Sequence, residues 1–327
     1  MIVLYFAVLL AAFALLFKCA DFFVHGASEI AHIMNIPKLV IGIFLVGLAT
    51  TAPEFAVSVF ASFLGKPEIA LGNAIGSVIC DDGVALALAA ILAPAAILVN
   101  CRMLKIVGLF LLSIDILAYM LARNGTLGRI EGLGLLGLLV LYFFLIFRTP
   151  NFGLKSEILE GVPSPRARKI DFLARKSQLK QPVSLFLLGL LGVVLTSRAI
   201  VWSAESIAHH FAVSEIVIGA TVVAIGTSLP EISTCITAAL KEEGEIAVGN
   251  IIGADVLNVL WIIGVSSVVR PIHVDLDIIN FAFPFMILIV TVMLVAMRIG
   301  CRLGKIKGVI LFLLYLLYLF LTLKFFA

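Results

Sequence analysis

Charged residues are scarce in this sequence of 327 residues. Asp, Glu, Lys and Arg together make up 13%, whereas hydrophobic residues make up 62% and the mean hydropathy is +1.21. A water-soluble core of this length does not need so much apolar surface, and apolar runs of about 20 residues recur along the chain. The composition therefore predicts a helical membrane protein, and the small net charge of +3 gives no indication of nucleic-acid binding.

Closely spaced cysteines are also lacking. The five cysteines form no CxxC motif and most lie in apolar segments, so we expect packed thiols rather than a disulfide framework or a zinc site. No basic region precedes the first apolar run. Residues 2–24 are therefore predicted to form a retained first helix and not a cleaved signal peptide.

Ten apolar segments are long enough to cross a bilayer. Lipid offers no hydrogen bonds to the backbone, so these segments are predicted to be the helices of an all-α membrane protein. Five precede one long polar segment and five follow it, which divides the chain into a first repeat at 1–147, a linker at 148–182 and a second repeat at 183–327. The predicted spans are 2–24, 39–64, 68–95, 103–122, 128–147, 183–207, 214–240, 244–269, 277–297 and 306–325.

Two stretches of the chain are copies of each other at a constant offset of 177 positions. Each has a Thr-Thr/Ser-x-Pro-Glu motif, at 50–54 and 227–231, followed by a Gly-Asn-x-Ile-Gly motif, at 72–76 and 249–253. The small-xxx-small spacing of Gly72 and Gly76, and of Gly249 and Gly253, predicts that these helices pack closely against the helices of the Pro-Glu motifs. Because each repeat holds an odd number of spans, the second repeat must enter the membrane from the opposite side. This is the inverted-repeat plan of many secondary transporters, which places the binding site at the midplane where the repeats meet.

The distribution of Lys and Arg predicts the orientation. With the N-terminus outside, sixteen of these residues lie on the inner side and five on the outer side. We therefore expect a multi-pass protein of the plasma (inner) membrane, with both termini outside and the central segment in the cytoplasm. That basic segment is interpreted as a topology-setting linker, with a regulatory or lipid-binding loop as the alternative.

Glu54 lies in the middle of an apolar span, where an ionised carboxylate costs about 2.5–3.5 kcal/mol on insertion scales. Pro53 cannot donate a backbone hydrogen bond and so leaves the carbonyl of Ala49 free. Thr50 and Thr51 add two hydroxyls within one turn. The turn thus offers carbonyl, hydroxyl and carboxylate oxygens together, which are the ligands that hard cations such as Ca²⁺ and Na⁺ prefer.

A single turn of this kind is explained equally well by a proline kink with a protonated Glu bonded to a neighbouring helix. The second copy favours ligation, because Pro230 leaves the carbonyl of Gly226 free beside Thr227, Ser228 and Glu231. Two kinks of one design at inverted positions are hard to explain as packing. The second and seventh spans are therefore predicted to be broken helices that share one site.

The helix after each kink adds candidate ligands. Ser77 and Asp81 are four positions apart and share a helical face, and the matching position to Asp81 in the second repeat is Asn258. Asp82 and Asp255 are each offset by one position from such a face. We expect these two acids to support the ligands from behind or to face water.

The formal charge of the candidate site restricts its substrate. Glu54, Glu231 and Asp81 together carry −3, which one Ca²⁺ with a retained proton, or three Na⁺, would neutralise. A site that is costly when empty and ionised favours obligatory exchange over return of the empty carrier.

At these motifs the sequence resembles the cation/Ca²⁺ exchanger superfamily, and its prokaryotic sodium/calcium exchangers most closely, over essentially the full length. The resemblance implies ten transmembrane helices in two inverted halves. It also implies that Glu54, Glu231, Thr50 and Thr227 form the Ca²⁺ site, with Na⁺ sites flanking it. The implied cation ligands are Thr50, Thr51, Glu54, Ser77, Asp81, Thr227, Ser228, Glu231 and Asn258, with backbone carbonyls at Gly47 and Ala224.

Three departures from the family pattern concern Na⁺. The family often has Asn in the first repeat and Asp in the second, whereas here Asp81 and Asn258 are exchanged. Ala254 replaces a Ser whose hydroxyl would help to hold the outer Na⁺. Val78 and Asp255 replace the Asn of a Gly-Ser-Asn triplet.

The leading hypothesis is a Ca²⁺ antiporter driven by Na⁺, with Ca²⁺ and Na⁺ (or H⁺) as its ionic partners. We expect the protein to have no enzymatic activity and to need no cofactor or obligatory protein partner. The alternative on the same fold is Ca²⁺/H⁺ exchange, for which the missing hydroxyl at Ala254 is mild support. A cation channel would need a continuous hydrated pore, and an intramembrane aspartyl protease would need two facing Asp residues, so both are remote.

Isolated polar residues receive structural interpretations. Asp21 with Lys18, Asp115 and Arg198 are expected to pair within the membrane or to reach its surface. The five histidines lie near predicted helix ends and are expected to be solvated.

Overall fold

A computed structural model describes residues 2–34, 36–148, 178–211 and 224–326. Within these ranges, nine helices are long and apolar enough to cross a membrane, and Leu229–Leu240 is a shorter apolar helix. The all-helical membrane fold predicted from the sequence is thereby confirmed. The helices are α1 (Ile2–Met34), α2 (Lys38–Phe63), α3 (Pro67–Leu92), α4 (Cys101–Ala122), α5 (Arg129–Arg148), α6 (Lys180–His210), α7 (Ala224–Thr227), α8 (Leu229–Leu240), α9 (Gly244–Val269), α10 (Ile278–Cys301) and α11 (Lys305–Phe326).

Part of the predicted organisation lies outside the described residues. Most of the linker at 148–182 and the beginning of the span at 214–240 fall there. The repeat boundaries, the orientation of the termini and the cytoplasmic position of the linker stay predictions.

Four two-residue strands tie the halves of the chain together at the helix ends. They are β1 (Ile97–Leu98), β2 (Thr126–Leu127), β3 (Ile272–His273) and β4 (Arg302–Leu303). The antiparallel pairs are β1 with β4, where Ile97 faces Leu303, and β2 with β3, where Thr126 faces His273. Each pair therefore joins one strand of the first half to one strand of the second half. An approximate two-fold relation between the halves would produce this arrangement.

Helices α3 and α9 form the centre of the bundle. The apolar stretch of α9 is 94% buried and that of α3 is 78% buried, whereas that of α11 is only 17% buried and faces lipid. α1 packs chiefly along α6, at the side of this centre. The two helices that follow the proline motifs, and that carry Ser77, Asp81 and Asn258, are thus the most buried of the nine.

Gly249 and Gly253 bring α9 into backbone contact with α2, as their four-residue spacing predicts. The same prediction is wrong for Gly72 and Gly76 of α3, where an added Cβ atom would meet nothing within 4 Å. A Cβ atom on Gly249 would lie 2.4 Å from the carbonyl oxygen of Leu39, and one on Gly253 would lie 2.5 Å from that of Ile43. Neither position has room for a side chain. This contact holds the first half's kinked helix against the second half's central helix.

π-helical segments begin at two candidate ligands. Asp81 opens the segment Asp81–Leu86 in α3, and Asn258 opens Asn258–Ile262 in α9, at the offset that relates the two repeats. Such wide turns leave backbone groups imperfectly paired and occur frequently at functional sites. The equivalence of these two distortions was not visible in the sequence.

Only one of the two proline motifs breaks its helix. In the second repeat the helix is broken as expected, because Ser228 (φ −85°, ψ 8°) separates α7 from α8. In the first repeat α2 continues through Pro53, so the prediction of a broken second span is wrong, and its distortion is a π-helical segment about two to three turns earlier, at Gly42–Val46. The missing hydrogen bond at Pro53 is therefore accommodated within a continuous helix.

The expectation of packed, unlinked thiols is wrong for two of the five cysteines. Cys101 and Cys301 form a disulfide across 200 positions, with a Cα–Cα distance of 5.4 Å. The β1–β4 pair brings these residues together, and sequence spacing alone could not reveal it. The disulfide lies at the membrane face that the Lys and Arg count predicts to be cytoplasmic, where disulfides are rare.

Ion pairs at this same face join α1 and α2 to the α8–α9 turn. Lys241 pairs with Asp21 at 2.7 Å, and Lys38 pairs with Glu243, which also accepts a hydrogen bond from Ser28. Asp21 thus has a partner other than the expected Lys18, whose ammonium lies over the Phe22 ring instead. These contacts close this end of the bundle next to the kinked helices.

Candidate cation site

Three acids predicted to share one site lie together at the centre of the bundle. Glu54 is an electrostatic neighbour of both Glu231 and Asp81, and Asp81 is in turn a neighbour of Glu231. Their side chains are 1–2% exposed. The structure therefore brings one carboxylate from each proline motif together with a third from α3, the helix that follows the first motif.

Hydroxyl groups of the motifs lie against these carboxylates. Thr50 and Thr51 lie beside the Glu231 carboxylate, and Ser228 lies beside that of Asp81. Each hydroxyl therefore faces an acid across the boundary between the two repeats. All three are fully buried.

Asn250 is a site residue that the sequence analysis did not single out. The Thr50 hydroxyl donates a hydrogen bond of 3.0 Å to Asn250 Oδ1, which lies in the second Gly-Asn-x-Ile-Gly motif. A hydroxyl whose proton is committed in this way directs its lone pairs elsewhere. In the first repeat, Asn73 donates to Ser58 instead. The Asn that both motifs share could have indicated a role for Asn250 in the site.

Most of the oxygens of this cluster lack hydrogen bonds from any described residue. Both carboxylate oxygens of Glu54 and of Asp81 are buried without a donor, as are Glu231 Oε2 and the hydroxyls of Thr51 and Ser228. Buried acceptors are normally paired, and an unpaired one costs about 1–3 kcal/mol. A dense group of buried, donor-free oxygens is the arrangement that a desolvated cation stabilises.

The cluster is not a metal centre built from acids alone. Among the described side chains, no group of three or more His, Cys, Asp or Glu residues is arranged to hold a metal ion. A cation bound here would therefore need hydroxyl and carbonyl ligands as well, which the Thr and Ser residues and the helix distortions supply. Such mixed oxygen sets suit ions that must also be released.

The remaining predicted ligands occupy different environments. Ser77 and Asn258 are buried, and Ser77 Oγ and Asn258 Oδ1 receive no hydrogen bond from the part of the chain described. Gly47 packs against Gly253 and Ala254 of α9, and its carbonyl lies 3.4 Å from Thr50 Oγ1. Thr227 is half-buried, and Ala224 begins α7.

A second group of acids adjoins the first. Asp82 lies beside Asp255, and both are neighbours of Asp115 on α4; all three are completely buried. No described Lys, Arg or His is among their electrostatic partners, and the Tyr142 hydroxyl is a further buried neighbour without a hydrogen bond. Asp115 was expected to pair or to reach the surface. It is fully buried and pairs with no basic residue of the described ranges. Its position midway along an apolar helix could have indicated this burial.

A cavity of about 330 Å³ lies between α6 and the two proline motifs. Its walls include both motif prolines, Pro53 and Pro230, together with Thr227. Arg198 and Trp202 of α6 also line it. In the predicted orientation these parts of α2 and α6 lie toward the outside, so the cavity is a candidate access path from that side.

Comparison with known proteins finds similarity to sodium/calcium exchangers over nearly the whole chain. The family profile described as "Sodium/calcium exchanger protein" matches residues 4–148 and 182–324. The chain is 32% identical to the sodium/calcium exchanger MaX1 of Methanosarcina acetivorans, with 98% of each chain covered. It is 33% identical to the inner membrane protein YrbG of Escherichia coli, with 82% of this chain and 81% of YrbG covered.

The fold is likewise similar to solved structures. It matches the sodium-calcium exchanger NCX_Mj soaked with 10 mM Na⁺ and zero Ca²⁺, with a TM-score of 0.82 and 27% identity across the whole of both chains. The same exchanger soaked with 100 mM Na⁺ and 10 mM Sr²⁺ matches with a TM-score of 0.81. The similarity thus extends over all the elements that carry the candidate site.

Proposed function

Because the chain belongs to the sodium/calcium exchanger family, whose profile matches both halves, we propose that this membrane antiporter exchanges Ca²⁺ for Na⁺ at the Glu54–Glu231 cluster. The observation that carries the proposal is the meeting of the two duplicated glutamates, with Asp81, in one buried group of donor-free oxygens. The relatives MaX1 and NCX_Mj, both called sodium/calcium exchangers, support Na⁺ as the counter-ion.

In this proposal the acids and hydroxyls divide the ions between them. Ca²⁺ binds to Glu54, Glu231, Thr50 and Thr227, where two carboxylates compensate its double charge. Na⁺ ions bind beside it, with Thr51, Ser228, Ser77, Asp81 and Asn258 and the carbonyls of Gly47 and Ala224 as ligands. Each ion takes oxygens from both halves, so relative movement of the halves opens the site to one side at a time.

Charge explains why exchange is coupled. The cluster is formally −3 when ionised and empty, which is costly in a membrane interior. Either ion load brings the site close to neutral, so the loaded forms can close around their ions more readily than the empty form. Ca²⁺ movement should then require a counter-ion on the opposite side.

The rival driving ion, H⁺, is favoured by one observation. Asp82, Asp115 and Asp255 form a buried acidic group whose charge no described basic residue balances. Protons bound there would compensate it. Ca²⁺ uptake into proteoliposomes separates the two drivers: an outward Na⁺ gradient should drive uptake, whereas a pH gradient without Na⁺ should not. Uptake driven by the pH gradient alone would reject Na⁺ as the counter-ion.

Restoring the missing hydroxyl at Ala254 should strengthen Na⁺ binding. Ala254 is fully buried and borders Gly47, so Ala254→Ser adds one oxygen next to the proposed Na⁺ ligands. We expect the Na⁺ concentration for half-maximal exchange to fall by about two- to tenfold. The control is Ala118→Ser, which adds the same hydroxyl at an equally buried position of α4. An unchanged Na⁺ response in Ala254→Ser would show that no Na⁺ binds there.

A further inference from the structure

A groove on the lipid-facing side of the bundle has the polarity of a phospholipid. It lies between α4 and α10, has a volume of about 260 Å³ and is lined along most of its length by aliphatic side chains. Lys105 and Arg298 line it at one end. The aliphatic part of the lining includes Leu109, Leu112, Leu294 and Val295.

The charged and apolar parts of the groove are separated along the membrane normal. On α4 the lining runs from Lys105 to Leu112, and on the antiparallel α10 it runs from Arg298 back to Thr291. Seven residues of helix span roughly 10 Å, so the basic end lies about 10 Å from the apolar end on both helices. This is the depth over which a phospholipid changes from phosphate to acyl chain.

The basic end carries charge that the protein does not compensate. Lys105 and Arg298 are exposed, and neither forms an ion pair with a residue of the described ranges. Arg298 donates one hydrogen bond to the Cys101 carbonyl, which fixes its guanidinium near the groove and leaves other N–H groups available. Four more basic residues lie on the surrounding turn and helix ends, and they are Arg102, Arg302, Lys305 and Lys307.

We propose that this groove binds one anionic phospholipid, with its phosphate on Lys105 and Arg298 and an acyl chain along Leu109 and Val295. Basic pockets between transmembrane helices bind acidic headgroups in this way. Both helices that form the groove adjoin the Cys101–Cys301 disulfide and the β1–β4 pair. The lipid would thus lie beside the β1–β4 pair and the disulfide, which connect the two halves of the chain, and away from the cation site.

Native mass spectrometry of the purified full-length protein, with phosphatidylglycerol added against phosphatidylcholine, tests this assignment. The wild type should retain one phosphatidylglycerol. Loss of one basic contact should weaken retention about fivefold, and Lys105→Gln with Arg298→Gln should weaken it about thirtyfold. The matched control, Arg102→Gln with Lys305→Gln, removes the same charge from the same face but from outside the groove, and should change retention little.

Two further measurements distinguish lipid binding in the groove from attraction to surface charge alone and from binding of a phosphate group alone. Val295→Trp fills the apolar part without changing charge and should also weaken retention, while thermal unfolding in detergent verifies that each variant is folded. Glycerol phosphate should not displace the lipid. Equal losses in both charge pairs, equal binding of phosphatidylcholine, or displacement by glycerol phosphate would each overturn the proposal.

Discussion

Glu54→Gln and Glu231→Gln are each expected to lower Ca²⁺ uptake into proteoliposomes by at least about 100-fold. Each change replaces a charged ligand by a neutral amide of the same size. A charge-assisted contact in a buried site contributes about 3 kcal/mol, which corresponds to more than 100-fold in affinity. Because both glutamates are 1–2% exposed and Gln fills the same volume, the variants should fold normally.

The control for this pair is Glu68→Gln, which makes the same chemical change at an exposed position near the start of α3. It should leave uptake unchanged. Size-exclusion profiles and unfolding temperatures close to those of the wild type would show that loss of uptake is not loss of fold. Wild-type uptake by a folded Glu54→Gln or Glu231→Gln variant would refute the proposed site.

Asp81→Asn should lower Ca²⁺ uptake by at least about tenfold, and adding Asn258→Asp should restore most of it. The two positions open equivalent π-helical segments, so a carboxylate at either one can serve the same group of oxygens. The single variant removes one of three negative charges, whereas the double variant returns it from the other half. The double variant also has the arrangement that the resemblance to the exchanger superfamily leads one to expect.

Uptake and Na⁺ dependence of the single and double variants provide the measurement. The control is Asp275→Asn, because Asp275 lies in the turn before α10 and not in the buried cluster. If Asp81→Asn loses uptake and Asn258→Asp restores none of it, the two positions do not share a function. If Asp81→Asn transports like the wild type, Asp81 is not an ion ligand.

Features that depend on a repeated local pattern could be predicted from the sequence. The apolar segments gave the membrane helices, and the duplicated Pro-Glu motifs pointed to two glutamates that the fold does bring together. The four-residue glycine spacing predicted the close helix contact at Gly249 and Gly253, but the same spacing at Gly72 and Gly76 makes no such contact. In each case the physical cause lies within a few turns of chain, or is repeated at a fixed offset.

Features that depend on contacts between distant segments could not be predicted in this way. The Cys101–Cys301 disulfide joins residues 200 positions apart, and the Asp21–Lys241 pair joins residues 220 apart. Asp115 joins Asp82 and Asp255 only because the fold packs α4 against α9. Nor did the sequence reveal that α2 would continue through Pro53 while the second repeat breaks at Ser228.

The most direct test of the account is a crystal of this protein soaked in Sr²⁺, a heavier substitute for Ca²⁺, and examined by anomalous scattering. We expect one strong peak between Glu54 and Glu231, within bonding distance of Thr50, that disappears when Na⁺ replaces Sr²⁺. A map with no peak between these glutamates, or with its strongest peak elsewhere in the membrane, would contradict it.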